Sequence, residues 1–421
     1  MSRILVYSHD TYGLGNIRRM LALATELAGS IDDAAVLVLS GSPMLHGFRL
    51  TPKVDYIKLP SVTRIAREGY STRSLGVSAE DVFELRANLA LAAVADFRPD
   101  VILVDKRPFG VENELEAAIH YAKTHLPETA LVLVLRDILD SPDATIRAWR
   151  AGGYTAAIER FYDRVLVLGT PDVFDMRQEY SLPASVCEKL RFCGYLRRPP
   201  GAIRPHDVRR SLGVSVNDRL VLVTTGGGQD GERIIRAYTD AAPMIHAAPG
   251  VRSLIVTGPE LEPSLRQLIE RAAKHVSGVI VREFTDDMMS CMEAAELVVC
   301  MGGYNTLCEV ATLGKRAIVV PRVRPVQEQW IRAERLSRAG VVSTIHPNEL
   351  EPRTLAAMVC AELSGEAPAP SQALALTALP LVTRHVKALI RQRDATNRRR
   401  AAEPAAVEAV RVESPLRFRI A

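Results

Sequence analysis

The feature that most constrains this chain is an alternation of short β-branched runs with longer segments of helical period. The alternation occurs twice, with a break between the two series. Continuous apolar strands separated by helices predict a parallel sheet that is covered on both faces. We therefore predict an α/β protein with two such sheets. The predicted strands are residues 4–7, 35–39, 54–59, 101–104, 131–135 and 165–168, and then 220–225, 253–257, 278–281, 297–300 and 316–320.

The break lies at residues 197–205, whose sequence Arg-Arg-Pro-Pro-Gly-Ala-Ile-Arg-Pro is typical of a linker. The chain has 421 residues, more than the roughly 250–300 at which a single core usually stops growing. We therefore predict two Rossmann-like domains, doubly wound, that face each other across a cleft. Residues 1–196 form the first and residues 206–385 the second. A last helix is expected near residues 380–393, and a basic, mobile tail over residues 386–421.

Composition narrows the class of protein. The formal net charge is only +4 and acids alternate with bases, so no nucleic-acid partner is indicated. The six cysteines form no CxxC pair and have no histidine at metal-ligand spacing, which predicts a reducing compartment and no metal site. No apolar run reaches the roughly 18 residues that a spanning helix needs. We expect a cytoplasmic protein, with peripheral contact to the inner face of a membrane left open by the basic tail.

Three loops of the C-terminal half follow predicted strands and carry residues suited to phosphate and sugar. The first is Gly-Gly-Gly-Gln-Asp-Gly at 226–231, the second Met-Gly-Gly-Tyr-Asn-Thr at 301–306 with Glu309 in the helix that follows, and the third Val-Arg-Pro-Val-Gln-Glu-Gln at 323–329. Glycines admit a ligand to the backbone, and the N–H groups of a helix start attract phosphate. A carboxylate beside them can accept both hydroxyls of a ribose. Each loop alone also fits a structural role, as a turn, a helix N-terminal acid or a capping segment.

The order of these loops is more specific than any one of them. With Phe284-Thr-Asp-Asp-Met between the first and the second, and Glu328-Gln329 in the third, the series resembles the donor half of family 28 glycosyltransferases. The resemblance is best over residues 220–345. The Glu-Gln pair followed by Arg332-Ala333 is also similar to a group of bacterial predicted glycosyltransferases.

The resemblance implies a GT-B fold, a uridine diphosphate sugar as donor, inversion at the anomeric carbon and no metal or other cofactor. It implies transfer of a hexose or N-acetylhexosamine to a hydroxyl acceptor that is lipid-linked, a glycan or a small molecule. Carried over by position, it assigns the diphosphate to Gly226, Gly227 and Gly228, the base to Phe284, phosphate to Gly302, Gly303, Asn305 and Thr306, the ribose to Glu309, and the donor sugar to Glu328 and Gln329.

The loop after the first strand is expected to face the acceptor. It contains Gly13, Gly15, Asn16 and Arg18. The family pattern has a histidine where this chain has Asn16, and an asparagine cannot take a proton at neutral pH. The base that an inverting transfer needs is therefore sought among residues at the carboxyl ends of N-terminal strands. The candidates are His9, Asp105 and Asp137, each of which could instead have a purely structural role.

Three other interpretations compete with transfer. A dinucleotide site is disfavoured because the first loop gives only Gly-x-Gly, with Arg18 where a third glycine would fall. A sugar-nucleotide 2-epimerase would share the two facing domains, but it needs carboxylates and a histidine around the donor sugar. A degenerate transferase that binds a nucleotide-sugar as a regulatory module remains open because of Asn16.

Overall fold

The structure is a computed structural model that describes residues 1–10, 15–65, 69–228, 230–365 and 374–402. Within these ranges the chain forms two α/β domains, each built on a parallel sheet, and a linker joins them. The strands are β1 (Ser2–Ser8), β2 (Ala34–Ser40), β3 (Val54–Lys58), β4 (Val62–Ile65), β5 (Gly69–Thr72), β6 (Val101–Asp105), β7 (Ala130–Arg136), β8 (Arg164–Leu168), β9 (Leu190–Phe192), β10 (Arg219–Thr224), β11 (Val251–Val256), β12 (Val279–Arg282), β13 (Leu297–Cys300), β14 (Arg316–Val319) and β15 (Ser343–Thr344). The helices are α1 (Gly15–Ser30), α2 (Ala79–Phe97), α3 (Glu116–His125), α4 (Pro142–Ala151), α5 (Tyr154–Phe161), α6 (Met176–Glu179), α7 (Ala184–Lys189), α8 (Pro205–Ser211), α9 (Glu232–Ile245), α10 (Pro263–Ala273), α11 (Met288–Ala294), α12 (Tyr304–Leu313), α13 (Glu328–Arg338), α14 (Pro352–Ser364) and α15 (Ala378–Ala402).

The N-terminal sheet has the strand order β3-β2-β1-β6-β7-β8-β9, with every pair parallel. From β1 the chain winds first toward β2 and β3, and later returns on the other side at β6. The strand order therefore reverses between β1 and β6. Ligands of doubly wound sheets bind at the carboxyl ends of the strands beside such a reversal.

The C-terminal sheet repeats this topology. Its order is β12-β11-β10-β13-β14-β15, again all parallel, so the reversal falls between β10 and β13. The first and second glycine-rich loops follow these two strands directly. The topology thus places both loops at the crevice where a ligand is expected.

Apolar strand residues explain why these segments form buried sheets. All five residues of β6 are buried, and so are all four of β13. A strand that is apolar on both faces is stable only when helices cover both of them. Each sheet accordingly packs its two faces against separate layers of buried apolar side chains. The predicted fold class, α/β with two Rossmann-like parallel sheets, is confirmed.

The segment between Val62 and Ser78 shows neither strand nor helix periodicity in its sequence, yet it contains two strands. Strands β4 and β5 form an antiparallel hairpin, with Val62 opposite Thr72. Val62 packs with Val82 of α2 in a small apolar cluster. The hairpin is stabilised by packing against another element, which periodicity within so short a segment does not reveal. Residues 66–68 lie outside the described residues.

The C-terminal end also differs from the prediction. Helix α15 runs from Ala378 to Ala402, so residues 386–402 are helical rather than a mobile tail. It packs against α1 of the N-terminal domain and also contacts β6 of the same domain. The crossing is fixed by hydrogen bonds from Thr377 Oγ1 to the Cys193 carbonyl at 2.9 Å and from Tyr195 N to the Ala375 carbonyl at 2.7 Å. An apolar stripe on α15 explains this packing. It consists of Val382, Val386, Leu389 and Ile390, all buried. Residues 403–421 lie outside the described residues.

Candidate functional site

The carboxyl ends of the two sheets meet at one cleft, and side chains of both domains bond across it. Arg18 Nη2 lies 2.5 Å from Glu309 Oε1. Asn305 Nδ2 donates to the Gly15 carbonyl at 2.9 Å. The structure therefore brings the predicted acceptor-side loop together with the second donor loop. Gly13 lies outside the described residues.

The first donor loop combines an open glycine with a tightly packed one. Gly226 has φ +70° and no atom within 4 Å of an added Cβ. Gly228 has φ +99°, and a Cβ there would lie 2.6 Å from the Thr257 carbonyl oxygen. Gly227 faces Glu260, whose Oε2 would lie 2.8 Å from an added Cβ. Gly226 is thus the residue that a diphosphate can approach, whereas Gly228 is required by packing against the loop after β11.

The second donor loop ends in a helix start without a capping side chain. Gly303 is the N-cap of α12, makes no side-chain cap bond, and leaves open space where a Cβ would stand. Gly302 has φ +78° and packs against Val319. Thr306 is half-buried in the first turn of the helix. Helix α12 has ten residues, an N-terminus without a side-chain cap and an open glycine in front of it. Such a helix start is suited to binding an anion.

Asn305 and Glu309 follow in the same helix and are buried. Asn305 accepts a short hydrogen bond from Arg198 of the interdomain linker. The carboxylate of Glu309 is held by Arg18. Both predicted donor residues therefore lie in the cleft, but in this structure each is bonded to an N-terminal or linker residue.

The third donor loop places an acid between three cations. Glu328 Oε2 lies 2.5 Å from Arg136 of the other domain, and Oε1 lies 3.1 Å from Arg322. Burial alone would raise the pKa of Glu328, but Arg136, Arg332 and Arg322 together hold it below its usual value. The carboxylate is therefore ionised and oriented. Gln329 Oε1 accepts the Arg322 backbone N–H at 3.0 Å.

Phe284 lies in the turn after β12 and is 50% exposed. The neighbouring Glu283 carbonyl accepts the N–H of Gly258, which itself packs against Gly227. The turn that carries Phe284 is therefore connected to the first donor loop by the backbone contacts of Gly258. An exposed aromatic ring at the carboxyl end of a strand is available for stacking on a base.

Among the predicted bases, only His9 is free of an ionic partner. It is 1% exposed, and neither ring nitrogen has a hydrogen-bond partner among the described residues. Its backbone N–H donates to Asp105 Oδ2 at 3.3 Å. Burial and then the charges of Lys106, Arg107 and Arg86 keep the pKa of His9 well below its usual value. The imidazole is therefore neutral, and negative charge must come near it before it binds a proton readily.

Both acidic candidates are engaged in buried ion pairs. Asp105 Oδ1 lies 2.6 Å from Arg19 Nη2. Asp137 accepts two hydrogen bonds of 2.7 Å from Arg332 across the domain interface, and a third from Tyr195 at 3.3 Å. Each carboxylate is thus held by a buried guanidinium whose charge it balances. These contacts argue against Asp105 and Asp137 as bases.

Asn16 has a structural role in place of the family histidine. Its Nδ2 donates to the His9 carbonyl at 2.5 Å, and its Oδ1 accepts from Arg19 at 3.1 Å. Since Arg19 in turn holds Asp105, the amide links the carboxyl ends of β1 and β6. An amide can donate and accept at once, which the two contacts require.

Several arginines that hold the cleft together were assigned no role from the sequence, although Arg332 belongs to one of its motifs. Arg332 reaches Asp137 and the Gly302 carbonyl, and its guanidinium lies 5.7 Å above the Tyr304 ring. Arg198 and Arg322 bond to predicted donor residues. Their residue type gave no signal, because arginine is common on solvated helix faces. Their positions after strands or beside the linker were the signal that was available.

The described residues contain neither a cluster of metal ligands nor a helix that could span a membrane. No three His, Cys, Asp or Glu side chains in those ranges are grouped so that they could hold a metal ion. None of the helices described is both long and apolar enough to cross a bilayer.

The family match to known proteins lies in the second half of the chain. Residues 220–377 match the family model of the glycosyltransferase family 28 C-terminal domain. Over 200 residues the chain is 26% identical to an uncharacterised glycosyltransferase of Methanopyrus kandleri, which covers 47% of this chain and 54% of that protein. Over 87 residues it is 34% identical to the UDP-N-acetylglucosamine–N-acetylmuramyl-(pentapeptide) pyrophosphoryl-undecaprenol N-acetylglucosamine transferase of Glaesserella parasuis, covering 21% of this chain and 25% of that enzyme. The matches thus span about half and about a quarter of these two relatives.

Solved structures share the whole fold at low identity. MurG of Acinetobacter baumannii superposes with a TM-score of 0.57 and 16% identity, covering 93% of this chain and 100% of that one. The UDP-GlcNAc 2-epimerase of Neisseria meningitidis, bound to UDP-GlcNAc, superposes with a TM-score of 0.59 and 14% identity, covering 92% and 100%. At such identities the likeness establishes the GT-B type of fold and nothing about the reaction.

Proposed function

We propose that the protein transfers a hexose or N-acetylhexosamine from a uridine diphosphate sugar to a hydroxyl acceptor, because residues 220–377 match the glycosyltransferase family 28 C-terminal domain and the chain has a GT-B type of fold. One observation carries the proposal. The donor motifs lie in family order on the loops after β10, β12, β13 and β14, at one edge of one sheet. Backbone N–H groups, an aromatic ring and buried acids thereby lie along the edge at which doubly wound sheets bind nucleotides.

The proposed roles follow from the position of each group. The open loop at Gly226 and the uncapped start of α12 at Gly303 bind the diphosphate. Glu309 binds the ribose once Arg18 releases it. Glu328, kept ionised by Arg136 and Arg322, accepts hydrogen bonds from hydroxyls of the donor sugar. Backbone donors and the helix dipole stabilise the negative charge that develops on the departing diphosphate.

In the proposed reaction the acceptor oxygen forms a bond to the anomeric carbon as the bond from that carbon to the diphosphate oxygen breaks. The diphosphate leaves with the bonding electrons, and the acceptor's hydroxyl proton passes to a base. We assign that base to His9, because its neutral imidazole is buried at the carboxyl end of β1 without a hydrogen-bond partner among the described residues. The acceptor's identity is left open.

A calorimetric titration with uridine, thymidine, guanosine and adenosine diphosphate sugars and with NAD tests the donor assignment. We expect binding of a uridine diphosphate sugar that weakens at least about tenfold in Glu309→Gln, since a charged hydrogen bond is worth about 1.5–3 kcal/mol. Glu334→Gln is the matched control, because Glu334 is in the same domain and its ion pair among the described residues is with Arg338 on the surface of α13. Binding of NAD alone, or of none of these ligands, would contradict the proposal.

The two competing activities are separated by analysing products. A 2-epimerase converts the donor sugar to its epimer without any acceptor. A binding module leaves the donor intact in the presence of every acceptor. Transfer predicts that free uridine diphosphate accumulates in proportion to a glycosylated product, and that His9→Gln abolishes turnover while donor binding persists.

A further inference from the structure

The N-terminal domain has a cavity between helices α4 and α5 and the turn that follows α6. Its volume is about 350 Å³. Trp149 and Tyr180 supply aromatic walls, and both side chains are more than nine-tenths buried. Small-molecule sites are typically cavities of roughly 300–1,000 Å³ with apolar and aromatic walls and a few polar groups. The cavity therefore has the size and the wall chemistry that a small ligand requires.

Helical spacing explains why several of these side chains share one wall. Thr145 and Trp149 are four residues apart on α4. Ile146 and Arg150 have the same spacing. Residues at this spacing lie on one face of a helix, and all four line the cavity.

One polar group of this wall lacks a partner. Thr145 is 3% exposed, yet its Oγ1 has no hydrogen-bond partner among the described residues. The nearby hydroxyl of Tyr180 already accepts the Leu139 N–H at 2.9 Å and donates to the Asp140 carbonyl at 3.2 Å. A buried hydroxyl without a partner is uncommon in folded proteins, and a ligand can supply the missing hydrogen bond.

Arg150 is the one charged side chain among the described residues that line the cavity. It is exposed and therefore lies at the mouth. Its guanidinium makes no ion pair with any residue that the structure describes. A planar guanidinium binds a carboxylate with two parallel hydrogen bonds. Thr145 and Arg150 are five residues apart, which is about 7.5 Å along the helix axis. A hydroxylated aromatic ring with a short carboxylate chain spans such a distance.

The cavity wall is connected to the donor domain through the loop at residues 137–141. Tyr180 holds this loop by its hydrogen bonds to Leu139 and Asp140. Asp140 Oδ1 in turn accepts the backbone N–H of Gln327, in the third donor loop, at 2.9 Å. Packed side chains and hydrogen bonds of this kind can carry coupling between two sites. A ligand that holds the Tyr180 ring thus stabilises the contact of this loop with the start of α13.

We propose that this cavity is a regulatory site for a small aromatic carboxylate with a ring hydroxyl, and that its occupation raises the affinity for the nucleotide-sugar. The ring packs between Trp149 and Tyr180, its hydroxyl bonds to Thr145, and its carboxylate binds Arg150. The effect on affinity rests on the proposed function, because it takes the third donor loop to hold the donor sugar.

Trp149 makes the cavity directly observable, since the chain has only two tryptophans. Trp330→Phe leaves Trp149 as the single source of tryptophan emission. We titrate para-hydroxyphenylpropionate into this full-length variant and expect a saturable change of emission. Phenylpropionate lacks the ring hydroxyl and para-hydroxyphenylethanol lacks the carboxylate, so each should bind about fivefold more weakly. No saturable change, or equal affinity for all three compounds, overturns the proposed site.

Three further substitutions in this variant locate the ligand. Arg150→Met should weaken binding of para-hydroxyphenylpropionate about fivefold. Arg147→Met is the matched control, because Arg147 is an exposed arginine of the same helix that does not line the cavity. Ala156→Phe changes an exposed lining residue, so it should fill the cavity and abolish the emission change without unfolding the protein. Unaltered binding in both Arg150→Met and Ala156→Phe overturns the site.

Calorimetric titration of the wild-type protein tests the regulatory role. We expect the uridine diphosphate sugar that binds best to bind at least about fivefold more tightly when para-hydroxyphenylpropionate is saturating, with the reciprocal gain of the same factor. Tyr180→Phe keeps the ring and removes its bonds to the loop, so the compound should still bind while the coupling is lost. Equal donor affinity with and without the compound overturns the regulatory role. If no uridine diphosphate sugar binds, the proposed function is wrong, and the emission titration alone decides the cavity site.

Discussion

At the scale of single residues, the cleft depends on charges that are buried in pairs. Arg332 and Asp137 are each about 1% exposed and come from different domains. Two 2.7 Å hydrogen bonds join them, and Tyr195 adds a third contact. Removing one member leaves the other charged and buried, which typically costs about 3–5 kcal/mol. The pair therefore fixes how the two domains meet.

We predict that Asp137→Asn and Arg332→Met each lower the free energy of unfolding by about 3–5 kcal/mol, because each strands a buried charge. The double variant should lose much less than the two single losses added together. Urea unfolding of all three proteins measures this coupling. Glu334→Gln, which breaks an exposed pair, should change stability by less than about 1 kcal/mol. Additive losses in the double variant would contradict the coupling.

Asp10 gives a prediction with a defined dependence on pH. Burial raises its pKa from 3.8 to about 6, although Ser40 donates a hydrogen bond to it. A folded-state pKa above the unfolded one stabilises the fold below pH 3.8, and this contribution is lost as the pH rises through 6. Asp10→Asn cannot ionise, so it should be more stable than the wild type at pH 7.5, by up to about 3 kcal/mol, and little different at pH 4. If Asp10→Asn and the wild type had the same free energy of unfolding at pH 7.5, ionised Asp10 would not destabilise the fold.

At the scale of elements, the strands were predictable and the contacts between domains were not. The predicted strand at residues 297–300 coincides with β13, and that at 101–104 lies within β6, since buried parallel strands have continuous apolar sequences. The hairpin of β4 and β5 was missed because α2 stabilises it from outside. The positions of Glu309 and Glu328 in the cleft followed from strand order. Their partners, Arg18 and Arg136, come from another domain, so no local pattern could indicate them.

Substitutions at two glycines of the donor loops test protein stability and ligand affinity separately. Gly228→Ala should destabilise the protein by about 2 kcal/mol or more, because φ is +99° and the new Cβ would meet the Thr257 carbonyl at 2.6 Å. Gly303→Ala should leave the melting temperature unchanged, since φ is −59° and the space is open. It should nevertheless weaken nucleotide-sugar binding about tenfold, by intruding where a phosphate meets the start of α12. Melting temperatures and donor titrations of both variants check this. Full affinity in Gly303→Ala would move the diphosphate elsewhere.

At the scale of the whole molecule, the chain crosses back to its first domain. Helix α15 covers α1 with four buried apolar side chains and adds an ion pair from Arg393 to Asp100. Each buried aliphatic side chain contributes about 1.5–3 kcal/mol, which together rivals the usual total stability of about 5–15 kcal/mol. Residues 374–402 therefore contribute to the stability of the N-terminal domain.

A chain that ends at residue 377 should fail to fold or aggregate, because the apolar face of α1 loses its cover. A chain that ends at residue 402 retains all the described contacts of α15 and is the matched control. Thermal unfolding followed by circular dichroism, together with the soluble yield, compares the two. If the shorter chain melts at the temperature of the longer one, α15 is not part of the N-terminal core.

If one nucleotide-sugar lies along the carboxyl edge of the second sheet, it touches four loops at once. Hydrogen exchange measured by mass spectrometry, with and without the uridine diphosphate sugar that binds best, tests all four loops in one experiment. We expect slower exchange at residues 226–231, 284–288, 302–309 and 327–329, with the amino ends of the same strands unchanged. Protection confined to the N-terminal loops, or to none of these segments, would contradict it.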